Sequence, residues 1–270
     1  MSTVSVVIPT IRGREELLKK LLDSLPKNVE RIVVDDEELS LAAKRNKGAK
    51  KAKGRYILFI DDDNFLREGS ISELARNFNS STGIVGVVAC YDSDRQRIAD
   101  GGSIRNYFTG ATTDNFVNKS VDSLPQMPYE VSEVANAFMM RRQLWRELGG
   151  FDEINFPIDL DEADLCRRAI KMGKKIMYCP TAICYHKSIT YSRLPDFRRP
   201  KNAYYLPRNQ ILYQRKHSSF IRFWLHIMLF LPVRFCVYTA TLTWRKKFSM
   251  IPYYVKGTLD GIFNRRTNPF

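Results

Sequence analysis

The sequence lacks the marks of a disulfide scaffold, a zinc module or an exported chain. Its five cysteines (Cys90, Cys166, Cys179, Cys184, Cys236) are odd in number and form no Cys-x-x-Cys pair. Such usage points to reduced thiols, not crosslinks or structural zinc. Met1-Ser2-Thr3 runs straight into Val4-Ser5-Val6-Val7-Ile8, with no basic stretch ahead of an apolar one, so no secretory signal peptide is expected. No internal repeat or low-complexity segment occurs. The longest uncharged stretch near the C-terminus, residues 223–233, contains His226 and Pro232, short of the roughly 18 apolar residues a spanning helix needs. Acidic residues are nearly absent from one end. Residues 187–270 hold 16 Lys/Arg against Asp196 and Asp260, whereas residues 1–186 hold 27 of each sign. The net charge of +14 therefore belongs to an appended segment, expected to face something anionic such as lipid headgroups or phosphates. No nucleic-acid fold signature accompanies it, and no nucleic-acid partner is expected.

What is present is ordinary globular material: 270 residues, 44% hydrophobic and 27% charged, enough for one sizeable core or a domain plus an appendage. Strand-like runs at 4–8, 31–35, 56–60, 84–89, 175–178 and 182–185 alternate with helical periodicity at 14–25, 39–52, 70–78 and 162–172. Continuous apolar strands separated by helices predict an open, mostly parallel α/β sheet covered on both faces. Residues 91–130 read as irregular. Residues 1–200 are expected to form this domain, and 201–270 a basic, apolar helical segment. Within that segment Trp224, Trp244, Arg222, Arg234 and Arg245-Lys246-Lys247 flank apolar stretches, a pattern expected of helices lying in a membrane interface. Helices that cap the domain's core, or span the bilayer, are the alternatives. The chain is expected in the cytoplasm, peripheral on the cytosolic face of the membrane.

Asp35-Asp36 ends the second strand and Asp61-Asp62-Asp63 the third. In such sheets ligands bind beyond the carboxyl ends of the strands. Carboxylates crowded there need a cation or a ligand's donor groups. Alternation along an extended segment lets Asp61 and Asp63 face one ligand while Asp62 turns away. Hard oxygen donors suit Mg²⁺ or Mn²⁺ shared with phosphate oxygens.

Val4-Ser5-Val6-Val7-Ile8-Pro9-Thr10, Arg31-Ile32-Val33-Val34-Asp35-Asp36, Lys44-Arg45-Asn46-Lys47-Gly48 and Gly54-Arg55-Tyr56-Ile57-Leu58-Phe59-Ile60-Asp61-Asp62-Asp63 occur in that order. Leu148-Gly149-Gly150-Phe151-Asp152-Glu153 and Asp161-Glu162-Ala163-Asp164-Leu165-Cys166-Arg167-Arg168 follow. Together they resemble glycosyltransferase family 2 over roughly residues 3–190. The resemblance implies a GT-A fold and inverting transfer from a nucleotide-diphosphate sugar (UDP-, GDP- or dTDP-linked) to a glycan or lipid-linked acceptor. It implies that Pro9 and Thr10 border the nucleotide, Asp35 binds the base and Arg45 lies near the nucleotide. Asp61 would contact ribose or sugar, with Asp62 beside it in the nucleotide-sugar set, and Asp63 would ligate the metal. Glu162 stands where most relatives carry the Asp general base, with Asp161 and Asp159 as alternatives; acidic residues there also cap a helix. His186 would approach the metal as a neutral imidazole. Tyr204-Tyr205-Leu206-Pro207-Arg208-Asn209 resembles rhamnosyl- and galactofuranosyltransferase-like members, in which Arg208 would hold the diphosphate. The usual Asp-Gly-Ser after the second strand is replaced by Asp36-Glu37-Glu38-Leu39-Ser40.

Two other readings compete. A sugar nucleotidyltransferase would need a Gly-rich loop after the first strand, where Pro9-Thr10-Ile11-Arg12-Gly13 supplies one glycine. A non-catalytic membrane-binding module would not need the carboxylate cluster, and would tolerate loss of Asp63.

Overall fold

A computed structural model describes residues 3–187 and 199–265. In chain order the first half runs β1 (Val4–Pro9), α1 (Glu15–Ser24), β2 (Glu30–Val34), α2 (Leu41–Lys51), β3 (Tyr56–Ile60), β4 (Asn64–Leu66), α3 (Ser70–Arg76) and β5 (Thr82–Tyr91). Then follow β6 (Asp94–Asp100), β7 (Ser103–Arg105), β8 (Thr112–Asp114), β9 (Tyr129–Val131), β10 (Ala137–Arg141), α4 (Arg142–Glu147), α5 (Asp161–Lys171) and β11 (Lys175–His186). The main sheet has the order β2-β1-β3-β10-β5-β11-β4. β2, β1 and β3 pair in parallel, as do β5 and β11, while β10 and β4 run antiparallel to their neighbours.

The mostly parallel sheet expected from the apolar runs is present. Val6, Val7 and Ile8, and Ile57 to Ile60, are entirely out of water, each worth roughly 1.5–3 kcal/mol of burial. α2 starts where Ser40 Oγ accepts the Ala43 N–H at 3.2 Å, an N-cap. Gly48 presses this helix onto β1, since a Cβ there would stand 2.3 Å from Val7 Cγ1.

Two features escaped the periodicity. Residues 137–141 form a central antiparallel strand, because the short run Ala137-Phe138-Met139-Met140 has no turn signal of its own and gains its identity from β3 and β5. The two strand fragments expected at 175–178 and 182–185 are one strand whose register shifts between Cys179 and Ile183; Pro180 offers no N–H to the ladder there.

The chain divides into two compact units. The first holds residues 3–104, 113–153 and 161–187 of the described chain; the second holds 105–112, 154–160 and 199–265. In the second, α6 (Pro200–His217) is followed by α7 (Phe220–Leu225), a π-helical turn (His226–Phe230) and α8 (Leu231–Trp244), then α9 (Ile251–Ile262). α6 and α9 touch backbone to backbone: a Cβ on Gly257 would lie 2.1 Å from Tyr204 O. Tyr204 Oη donates to Asp260 Oδ2 at 2.8 Å inside this contact. Residues 220–244 form one 25-residue helix of mean hydropathy 1.6, long and apolar enough to cross a membrane by length and composition. Only 17% of its most apolar window is buried. Phe220, Ile221, Met228, Leu229, Val233, Val237 and Trp244 are more than half exposed.

Candidate active site

The carboxylates beyond β3 lie in a turn, not an extended segment, with the Asn64 N–H donating to Asp61 O at 3.1 Å. The expected alternation is therefore replaced by a different sharing. Asp62 is buried and accepts from Thr10 Oγ1 at 2.6 Å. Arg14 binds Asp62 through Nη1 and Asp63 Oδ2 through Nη2, the latter at 2.8 Å. Asp62 thus points back toward the end of β1, where Pro9 and Thr10 are also buried. Burial raises the Asp62 carboxyl, opposed by the Thr10 hydroxyl. Lys44 Nζ donates to Thr10 O at 2.6 Å, tying α2 to the same loop.

Asp61 faces the other way. Its Oδ1 accepts from Arg45 Nη2 at 2.9 Å, and the same nitrogen lies 2.8 Å from Glu162 Oε1. Arg45 Nη1 binds Asp161 Oδ2 at 2.6 Å. Arg45 is 1% exposed, so one buried guanidinium joins three carboxylates drawn from the turn after β3 and the first turn of α5. Burial pushes Glu162 up to about 7 and Asp61 up to about 6, the Arg45 charge opposing both. A carboxylate titrating near neutrality can take a proton from a hydroxyl and release it again.

Asp63 meets His186 because β4 pairs with the end of β11, placing His186 opposite Asn64. The Lys187 N–H donates to Asp63 O at 2.9 Å. His186 Nε2 lies 3.8 Å from Asp63 Oδ1, and both residues are buried. Desolvation lowers the His186 pKa, favouring the neutral imidazole. Among the described residues no group of three or more His, Cys, Asp or Glu could enclose a metal without help.

Asp35 is exposed, and Asp36 pairs with Lys47 Nζ at 2.6 Å, which lowers its carboxyl. Arg208 belongs to the second unit, where Nη1 donates to Asn155 O at 2.9 Å and to Asn209 Oδ1 at 2.8 Å. Asn209 Nδ2 holds Ile158 O and Asp159 O at 2.6 and 3.0 Å. Asp159 and Leu160 both have positive φ, 59° and 63°, so this pair of amide contacts braces a strained turn.

Sequence reasoning missed Arg14 and Asp100. Arg14 reads locally as the first residue of a helix, and only the β1 loop brings it to Asp62. Asp100 closes β6, accepting from the Gly102 N–H at 2.9 Å and Tyr178 Oη at 2.8 Å. Burial raises it to about 6 despite those donors. Its signal was the turn Asp100-Gly101-Gly102-Ser103, which by composition alone reads as a loop.

A family model described as "Glycosyltransferase like family 2" matches residues 2–203. The chain belongs to that family. It is a glycosyltransferase. Among solved structures, the enzyme resembles S. aureus TarS (residues 1–349) in complex with UDP-GlcNAc at 15% identity and TM-score 0.57, covering 96% of this chain and 80% of that one. The mannosyltransferase PcManGT from Pyrobaculum calidifontis, in complex with GDP-Man and Mn²⁺, aligns at 13% identity and TM-score 0.55 over 97% and 88%. GalNAc-T7 with UDP, GalNAc and Mn²⁺ aligns at 16% and TM-score 0.53 over 74% of this chain and 46% of that one. The glycosyltransferase spans less than half the length of GalNAc-T7. At these identities the likeness carries the fold, which is GT-A. No curated protein matches the chain.

Proposed function

We propose that this glycosyltransferase is inverting and metal-assisted, moving a sugar from a UDP-, GDP- or dTDP-linked donor to a hydroxyl of a glycan or lipid-linked acceptor. The observation that carries the reading is Glu162, a carboxyl raised to about 7 and held 2.8 Å from the guanidinium that also binds Asp61. Glu162 takes the acceptor proton as the hydroxyl oxygen attacks the anomeric carbon from the face opposite the nucleotide. The nucleoside diphosphate leaves with the bonding pair, which inverts the centre. Asp61 orients ribose or sugar. Asp35, Pro9, Thr10 and Asp62 border the nucleotide.

Asp63 and the neutral imidazole of His186, 3.8 Å apart, are the residues that would hold Mn²⁺ or Mg²⁺, cations suited to such donors together with phosphate oxygens. When bound, the cation neutralises charge growing on the departing diphosphate. The GalNAc-T7 structure holds Mn²⁺ with UDP, and that of PcManGT holds Mn²⁺ with GDP-Man, in keeping with such a cation.

The exposed apolar helix at 220–244 with Arg245-Lys246-Lys247 at its end supports a home on an anionic cytosolic membrane face, lying in the interface. A thermal-shift screen of UDP, GDP and dTDP with and without Mn²⁺ tests the donor site, since a bound ligand stabilises the fold. One diphosphate is expected to raise Tm, and more with metal. No shift and no turnover with any donor would end the reading.

A further inference from the structure

Arg45 has a fixed root. On one side Lys44 is bonded to Thr10 O; on the other Asn46 Nδ2 donates to Phe151 O at 2.9 Å while its Oδ1 accepts the Phe151 N–H at 2.8 Å. The guanidinium lies 5.7 Å from the Phe151 ring centroid. Its Nη1 reaches Asp161, and its Nη2 reaches both Asp61 and Glu162. Among the described residues no other cation pairs with these three carboxylates. Contacts separated by 116 residues in sequence therefore converge on one planar group.

We propose that Arg45 is the positioning residue of the general base, clamping Glu162 by Oε1 and fastening the first turn of α5 to the donor-facing carboxylate at the end of β3. The proposal rests on Glu162 being the base and adds what aims it. A planar fork with several donors suits this task, whereas an ammonium is a point charge. The clamp also governs the charge state of the base. Facing Glu162 are Asp161 and the neutral Cys166 thiol on its own helix, Asp61 from the turn after β3, Asp100 from β6 and Arg45 from α2. Burial first and the neighbouring acids second push its proton affinity up, and Arg45 is the cation that opposes them. Without the guanidinium the base stays protonated to higher pH, and turnover at low pH is lost first.

The test uses the full chain as R45K, R45M, E162Q and wild type, with kcat/KM measured from pH 5.5 to 9 at saturating donor. For R45M the acid limb is expected to move up by about one pH unit or more, a loss of activity at pH 6 about tenfold greater than at pH 8.5. R45K keeps a charge but not the fork, so its limb moves less while kcat still falls. A limb at the wild-type position in both variants overturns the proposal. A raised donor KM with an unmoved limb also overturns it, assigning Arg45 to the nucleotide.

Removing one partner of a buried ion pair can prevent folding. R45K, the milder change, then carries the test by ¹³C-carboxyl NMR titration of Glu162, its signal identified by its absence in E162Q. An upward shift supports the clamp, and an unchanged titration overturns it. The base assignment fails separately, if E162Q retains wild-type kcat and its acid limb.

Discussion

The two units spend their charge in opposite ways. The first is close to neutral, since positions 1–186, which supply nearly all of it, carry 27 basic and 27 acidic residues, and it buries ions: Arg45, Asp62, Asp63, Asp161 and Asp164 are all under 9% exposed. The second is strongly basic and leaves most of its cations in water, with Arg222, Arg245, Lys246 and Lys256 exposed beside an exposed apolar helix. Burying a charge costs several kcal/mol unless it is paired, so such groups persist where a reaction needs them. Exposed cations cost little and act at a distance on anionic surfaces. The contrast separates a chemical unit from one that the proposed function treats as an addressing unit.

The largest effect expected to test this contrast is E162Q, which should lower kcat by about 10²–10⁴-fold while nucleotide-diphosphate binding, read by calorimetry, persists. A variant that binds and turns over normally would remove Glu162 from the chemistry and blur the contrast. Next, M228E combined with V233E on the exposed helix face should abolish flotation with anionic liposomes, without lowering Tm or turnover on a soluble acceptor. Unchanged flotation would sink the membrane role. Within the second unit, G257A should destabilise by about 1–3 kcal/mol in urea unfolding, because the added methyl meets the Tyr204 carbonyl across the α6–α9 contact.

The smallest effect is a sign that depends on pH. Asp100 is raised from 3.8 to about 6, chiefly by burial, so its contribution to stability is full below pH 3.8 and fades as pH rises through 6. D100N mimics the protonated form throughout. It should match wild type near pH 3.5 and be more stable by about 2 kcal/mol at pH 7.5. A variant less stable at pH 7.5 would mean that Asp100 is held by more than its two donors.

Much of the catalytic unit could be read from adjacent residues. The apolar run ending in Asp61-Asp62-Asp63 gave both β3 and the position of the carboxylates, since strand burial and strand end are local properties. The helix carrying Asp161 and Glu162 was legible for the same reason. Arg14, Asp100 and the strand at 137–141 were not, because nothing within a few residues of them differs from a helix start, a turn or a short apolar loop. The opposite orientations of Asp61 and Asp62 were also hidden, since they depend on a turn whose partners, Arg45 and Arg14, come from separate elements.

Short-range pattern therefore specified the elements, the clustering of acid at strand ends and the basic, apolar C-terminus, because each follows from burial or charge along a few turns of chain. Which acid meets which cation was settled by packing. Arg45 and Asp161 lie 116 positions apart, and only the packing of α2 and α5 onto the sheet brings them within 2.6 Å, where desolvation gives Glu162 its near-neutral proton affinity.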